Sequence, residues 1–284
     1  MRDNSSRFAV PAEPAAPAAE EPAQPNITDL MSFVAPTQFV DLPSKGIHYP
    51  AGHPLHGKDS VEIKFMTAKE EDILSSQELI KKGVVLDRLI QSIIVDKRVN
   101  ASSMLVGDKT AIMYAARISA YGEGYNAKFF CRSCNNAVSH EFDLTEIAPR
   151  EEPNLDELGV TFEDGHYVCT LPATKVKVAL RLLTGKDERE ITDYLKKQKK
   201  NNVEVGALTT QMLYSVHSIN GVTARAQLHQ FIQNMPFRDS KYLRDIHAAV
   251  SPAMNTEVSL NCGNCGAEQE VELPMSVEFF WPRQ

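Results

Sequence analysis

The stretch "LNCGNCGA", residues 260–267, sets Cys262 and Cys265 three positions apart with a glycine after each. That spacing is half of a metal site, because a tight turn aims two thiolates at one ion and leaves two positions of a tetrahedral shell to fill. One other Cys-x-x-Cys occurs in the chain, "FFCRSCNN", with Cys131 and Cys134, and Cys134 stands 128 positions before Cys262. Whether the two halves meet decides the architecture.

Both pairs have the same setting. "YNAKFFCRSCNNAVSHEFDL" from Tyr125 and "NTEVSLNCGNCGAEQEVELP" from Asn255 each read as strand, Cys-x-x-Cys turn, strand, the outline of a zinc knuckle. Two knuckles make one zinc ribbon with Cys131, Cys134, Cys262 and Cys265 as ligands. Closing a loop of about a hundred residues costs roughly 5 kcal/mol. Structural zinc binding contributes about 10 to 16 kcal/mol in small peptides, so closure within one chain is feasible. Three alternatives stay open: a site split across a homodimer, a relic ribbon without metal, and redox-active thiols. Redox chemistry fits worst, since neither pair opens a helix after a strand. A shell of four thiolates has no open position for water or substrate, so the expected zinc is structural and not catalytic.

Composition narrows the class. A chain of 284 residues with 43% hydrophobic content makes one large or two small domains. Its net charge of −7 and scattered cations argue against a general nucleic-acid binder, which needs a clustered basic surface. No apolar run reaches the roughly 20 residues that span a bilayer, and no signal-peptide core stands at the N-terminus. A soluble, cytoplasmically made protein is expected. Four of its five cysteines lie in two close pairs, which in a reducing compartment more often hold metal than disulfides.

The pattern along the chain predicts an α+β fold, with helical segments and short β-hairpins organised around the split four-cysteine ribbon. Residues 1–27 are expected to form a disordered tail, since "AVPAEPAAPAAEEPAQP" offers no large side chain to bury. Residues 28–124 read as a strand segment plus a helical bundle. Val61, Ile63 and Phe65 alternate as in a strand, and Thr67 with Glu70 makes a capping box for a helix expected to reach Lys82 before Gly83. Leu86, Leu89, Ile90 and Ile93 mark a second helix, and Ile112, Ala115, Ala116 and Ser119 a third over 108–121. The ribbon takes 125–145 and 255–276, and between its halves 146–254 forms an inserted β-hairpin and helical domain. Asp164-Gly165 predicts a hairpin turn, and Val176, Val178, Leu180 and Leu182 a strand. Helices follow over 186–200 and 205–217, then two more separated by "NMPFRDS", with Asp239 expected to cap the last. Residues 277–284 form an aromatic C-terminal tail in which Phe279 and Phe280 read as core and Trp281 as a partner anchor.

Other chemistry-bearing residues have plain readings. His48, His53 and His56 fall in the turn-rich "IHYPAGHPLH" and lack a fourth donor. Cys169 sits mid-strand as a small buried hydrophobe. "KKQKKNN" places cations at a helix C-terminus, where they oppose the dipole. "GDKT" at 107–110 and "TGKD" at 184–187 lack the glycines and hydroxyl spacing of a phosphate loop. No catalytic constellation stands out, and a non-enzymatic protein is expected.

The runs "FVDLPSKGIHYPAGHPLHGKDSVEIKFMTAKEEDIL", "RLLTGKDE", "NMPFRDSKYLRDI" and "FFWP", in this order with the Cys pairs between them, resemble the baseplate hub proteins of T-even-like contractile-tailed bacteriophages. The resemblance runs from about Phe39 to the C-terminus and leaves out the Ala/Pro leader. It implies a structural or assembly role in the virion's tail baseplate hub, in the host cytoplasm during assembly, through contacts with other hub and tail subunits and with a homo-oligomer as one option. The reading from another class is a zinc-ribbon nucleic-acid-binding or transcription factor. Its knuckle tips would carry Arg, Lys and exposed aromatics, whereas here they read Arg132-Ser133 and Gly263-Asn264.

Overall fold

Val61 and Ile63 point inward from β2, Ser60–Lys64, which pairs antiparallel with β1, Thr37–Asp41. The computed structural model describes residues 35–201, 206–273 and 277–280. The Ala/Pro leader, residues 202–205 and Trp281 lie outside them. After β2, Thr67 opens α1, Ala68–Ser75, through the expected capping box: the Glu70 carboxylate accepts from the Thr67 N–H at 2.9 Å and from its hydroxyl at 2.6 Å. The helix does not run on to Lys82. Ser76 turns extended, and its hydroxyl accepts from the Leu79 N–H to begin α2, Gln77–Lys82. A serine that can bond its own backbone competes with helix continuation, and the apolar spacing does not register this. Gly83, at φ 68°, closes α2 in the left-handed conformation.

The next two helices build the first core. In α3, Val85–Ile93, Leu89, Ile90 and Ile93 are buried, as their spacing predicts. In α4, Val106–Tyr121, Ile112 and Ala116 are buried, while Ala115 and Ser119 are only half-buried. This helix is enclosed on more than one side, so it also buries Asp108, Lys109 and Arg117. Two hairpins and a turn complete the core. They are β3, Gly124–Phe130, with β4, Ala137–Asp143; β9, Glu257–Asn261, with β10, Glu268–Glu272; and the 3-10 turn Val277–Phe280. They contribute Tyr125, Phe142, Leu260, Val271, Phe279 and Phe280.

The buried Arg117 has carbonyl partners in place of a carboxylate. It donates to Phe279 O at 3.1 Å, Gly122 O at 3.2 Å and Gly124 O at 3.3 Å. Its guanidinium also lies 4.9 Å from the Tyr121 ring centroid. Three carbonyls and a π-face replace the hydration a buried cation loses. Arg117 thereby joins α4 to the last described turn.

A second core collects residues between the hairpins, around a four-stranded antiparallel sheet ordered β5-β6-β7-β8. The strands are Val160–Glu163, His166–Thr170, Lys177–Leu180 and Val216–Ile219. Asp164 at φ 50° and Gly165 at φ 78° form the predicted hairpin turn between β5 and β6. The helix expected over 205–217 is shorter: α7, Ala207–Ser215, gives way to β8. Val216 and Ile219 there oppose Leu180 and Val178 on β7, and that strand pairing overrides the helical spacing. Around the sheet stand α5, Leu155–Leu158; α8, Arg225–Asn234; and α9, Phe237–Val250, whereas α6, Gly185–Lys200, reaches the first core, where Arg189 pairs with Asp87 of α3. Lys197, Lys199 and Lys200 end α6 as expected.

Asp239 does not cap its own helix. Pro236 holds the cap position of α9, and the Asp239 carboxylate instead accepts from Ala173 N at 2.7 Å, Thr174 N at 2.9 Å and Thr174 Oγ1 at 2.7 Å. It fastens the β6–β7 turn to α9, a contact that sequence proximity does not reveal. The two ends of the intervening segment close on each other through a bridge between Pro149 and Met254. Arg150 N donates to Ala253 O and Asn255 N to Ala148 O, both at 2.8 Å.

Candidate metal centre

Each cysteine pair sits at the tip of a hairpin, and the two turns are built alike. Cys131 N donates to Asn136 O at 2.9 Å and Asn135 N to Cys131 O at 2.8 Å. Cys262 N donates to Ala267 O at 2.9 Å and Gly266 N to Cys262 O at 2.8 Å. The residue after the second cysteine is left-handed in both, Asn135 at φ 55° and Gly266 at φ 70°. Glycine takes that conformation at no cost, and asparagine is among the few other residues that tolerate it. Asn135 is thus the structural equivalent of Gly266, which residue identity alone hides.

The two tips meet within one chain. Cys131 Sγ lies 3.8 Å from Cys265 Sγ, Cys134 Sγ lies 3.7 Å from Cys262 Sγ, and all four sulfurs fall within 4.8 Å of one another. A tetrahedral ion with metal–sulfur bonds of about 2.3 Å requires sulfur separations of about 3.8 Å. Donor type, number and spacing therefore fit a thiophilic cation such as zinc. The four thiols are free, at separations far beyond the roughly 2.05 Å of a disulfide. Gln269 couples the tips directly, its Oε1 accepting from Arg132 N at 2.9 Å.

The electrostatics favour partial ionisation before any metal arrives. The Asn136 N–H and the Asn264 amide pull Cys134 down to about 6, and the N–H groups of Cys265 and Asn264 lower Cys262. The Ala267 N–H also pulls on Cys265, yet the neighbouring sulfurs hold it up at about 11. Like charges this close oppose one another, and the positive charge of a divalent cation offsets that opposition and so lets the coordinating thiols deprotonate.

The remaining candidates do not join the cluster. His53 stacks on Tyr49 and contacts Ser103 Oγ at 2.8 Å, His56 contacts Tyr49 O at 2.6 Å, and His48 contacts the Tyr167 hydroxyl at 3.2 Å. Cys169 is buried in the second core, where desolvation raises its thiol to about 11. In "GDKT", the Asp108 carboxylate accepts from Ser44 N, Ser44 Oγ and Tyr49 OH, and Lys109 pairs with Asp87 at 2.7 Å. In "TGKD", Thr184 and Asp187 form a capping box, and Arg181 donates twice to Asp187. Both segments are used in packing. Sequence reading missed Asn135, Asn264 and Gln269; only the matched position after each second cysteine offered a signal, for Asn135.

Fold and site together define a mixed α+β protein whose middle and C-terminal hairpins are brought tip to tip by four clustered cysteines. A family model described as T4 bacteriophage base plate protein matches residues 48–281, and the chain belongs to this family. Membership makes it a structural protein of a T4-like phage tail baseplate, in contact with other baseplate or tail proteins. Neither the curated proteins nor the solved structures gave a significant match. Among the described residues, no helix is long and apolar enough to cross a membrane.

Proposed function

We propose that this chain is a non-enzymatic component or assembly factor of the baseplate hub, stabilised by one structural zinc held by Cys131, Cys134, Cys262 and Cys265. The observation that carries the reading is the approach of all four sulfurs to within 4.8 Å in a baseplate-family chain. Zinc would offset half of the charge of the four thiolates and fix the two hairpin tips together. The chain's own residues do the rest: the Cys131 and Cys262 turns aim the sulfurs, Gln269 joins the tips, and Arg117 with Tyr114 and Tyr125 seats the C-terminal turn through Phe279. In this reading residues 146–254 are an inserted domain whose two ends the ribbon and the Pro149–Met254 bridge hold together. The closed donor set supports a staple over a reaction centre.

Elemental analysis of the purified chain should find one zinc per molecule, and Cys262→Ser should lose most of it. In phage carrying Cys262→Ser, fewer complete baseplates should be counted by electron microscopy. Zinc-free wild-type protein, or normal baseplate yield in the variant, would count against the reading.

A further inference from the structure

A cavity of about 740 Å³ opens between the two cores, away from the cysteine cluster. Clefts of roughly 300 to 1,000 Å³ at such junctions are where ligands and peptide segments bind. Leu86 and Met113 supply apolar wall on one side, and Leu208 on α7 supplies it on the other with 55% of its surface exposed. Leucine so exposed at the mouth of a cleft is surface that a partner can cover.

Two arginines in the same lining have bonding capacity left. Arg244 makes no hydrogen bond or ion pair among the described residues. The Arg150 guanidinium donates to Ala248 O at 3.0 Å but has no carboxylate partner among them. His247 has a backbone hydrogen bond to Arg181, while its Nε2 is shielded from solvent and lacks a partner. Of the lining carboxylates, Glu188 lies 3.8 Å from Lys109, which leaves Glu272 against the two arginines.

We propose that the cleft is the docking site for an extended peptide segment of a neighbouring baseplate subunit, one that carries an acidic residue beside a bulky apolar residue. The acidic side chain answers the two arginines, and the apolar side chain covers Leu208. A peptide supplies a carboxylate and an apolar side chain side by side, which a simple anion or hydrocarbon does not. The identity of the partner as a baseplate subunit rests on the hub reading above; the chemistry of the cleft does not.

The test uses the full-length, zinc-supplemented chain and an array of overlapping short peptides covering this chain and the other tail proteins of the same phage. Peptides pairing Asp or Glu with Leu, Phe or Trp should bind, as read by fluorescence anisotropy. Leu208→Glu and Arg244→Glu should each weaken them at least about tenfold, with thermal melts unchanged, while Lys199→Glu on α6 should not. Absence of binding, binding confined to basic peptides or to peptides of this chain, or binding by either variant as tight as wild type would overturn the proposal. Normal baseplate yield and zinc content in a chain that binds no peptide would remove the cleft and leave the hub reading intact.

Discussion

Gly107 shows how much a single side chain can decide. A Cβ there would stand 1.9 Å from Pro252 O, so the backbone of α4 meets the segment after α9 with no room for a methyl group. Gly107→Ala should lose about 2 to 3 kcal/mol of stability in urea titration, the cost of overpacking a rigid contact. An unchanged midpoint would mean that the two backbones separate freely. Phe279 is the apolar counterpart, fully buried with its ring centroid 5.2 Å from that of Tyr114 and 5.0 Å from that of Tyr125. Phe279→Ala should destabilise the protein by about 4 kcal/mol. A loss below about 1 kcal/mol, the usual range of surface substitutions and mild swaps, would show that this turn is not part of the core.

At the scale of elements, Glu70 joins three of them. Its carboxylate caps α1 through Thr67, accepts from Lys64 Nζ of β2 at 2.8 Å, and accepts from Ser92 Oγ of α3 at 2.5 Å. Burial alone would raise its pKa, but the hydrogen bonds from Lys64, Ser92 and Thr67 together bring it to about 2, from an ordinary value of 4.5. Because the folded value is the lower one, the stabilisation is present above about pH 5 and is lost as pH falls towards 2. Wild type should therefore exceed Glu70→Gln in stability at pH 7, and the gap should close between pH 5 and pH 2. A gap that does not change with pH would mean that the carboxylate is not held ionised. The break at Ser76 and the strand at Val216 belong to this scale too. Both are places where a local hydroxyl or a neighbouring strand overrode an otherwise sound helical pattern.

For the whole molecule, the decisive feature is that the cysteine hairpins belong to the first core while most of the chain between them packs around the second. Removing the proposed zinc should loosen the first core and leave the β5–β8 sheet in place. Calorimetry of the chelated protein should then resolve two transitions, the earlier one accompanied by exposure of Phe279 and Phe280. One transition at an unchanged temperature would show that the cluster contributes nothing to the fold.

Sequence alone determined the local parts: the two Cys-x-x-Cys turns, the Thr67 capping box, the Asp164-Gly165 hairpin, and the apolar face of α3. Each depends on residues within a few positions of one another, where backbone geometry and side-chain chemistry suffice. The order of motifs also pointed to the baseplate family. Only the tertiary structure decided that Cys131 meets Cys265 and Cys134 meets Cys262, that Asp239 serves a distant turn, and that Arg117 is buried against carbonyls. Those contacts join positions far apart in the chain, and their energies depend on burial and approach that no local pattern encodes.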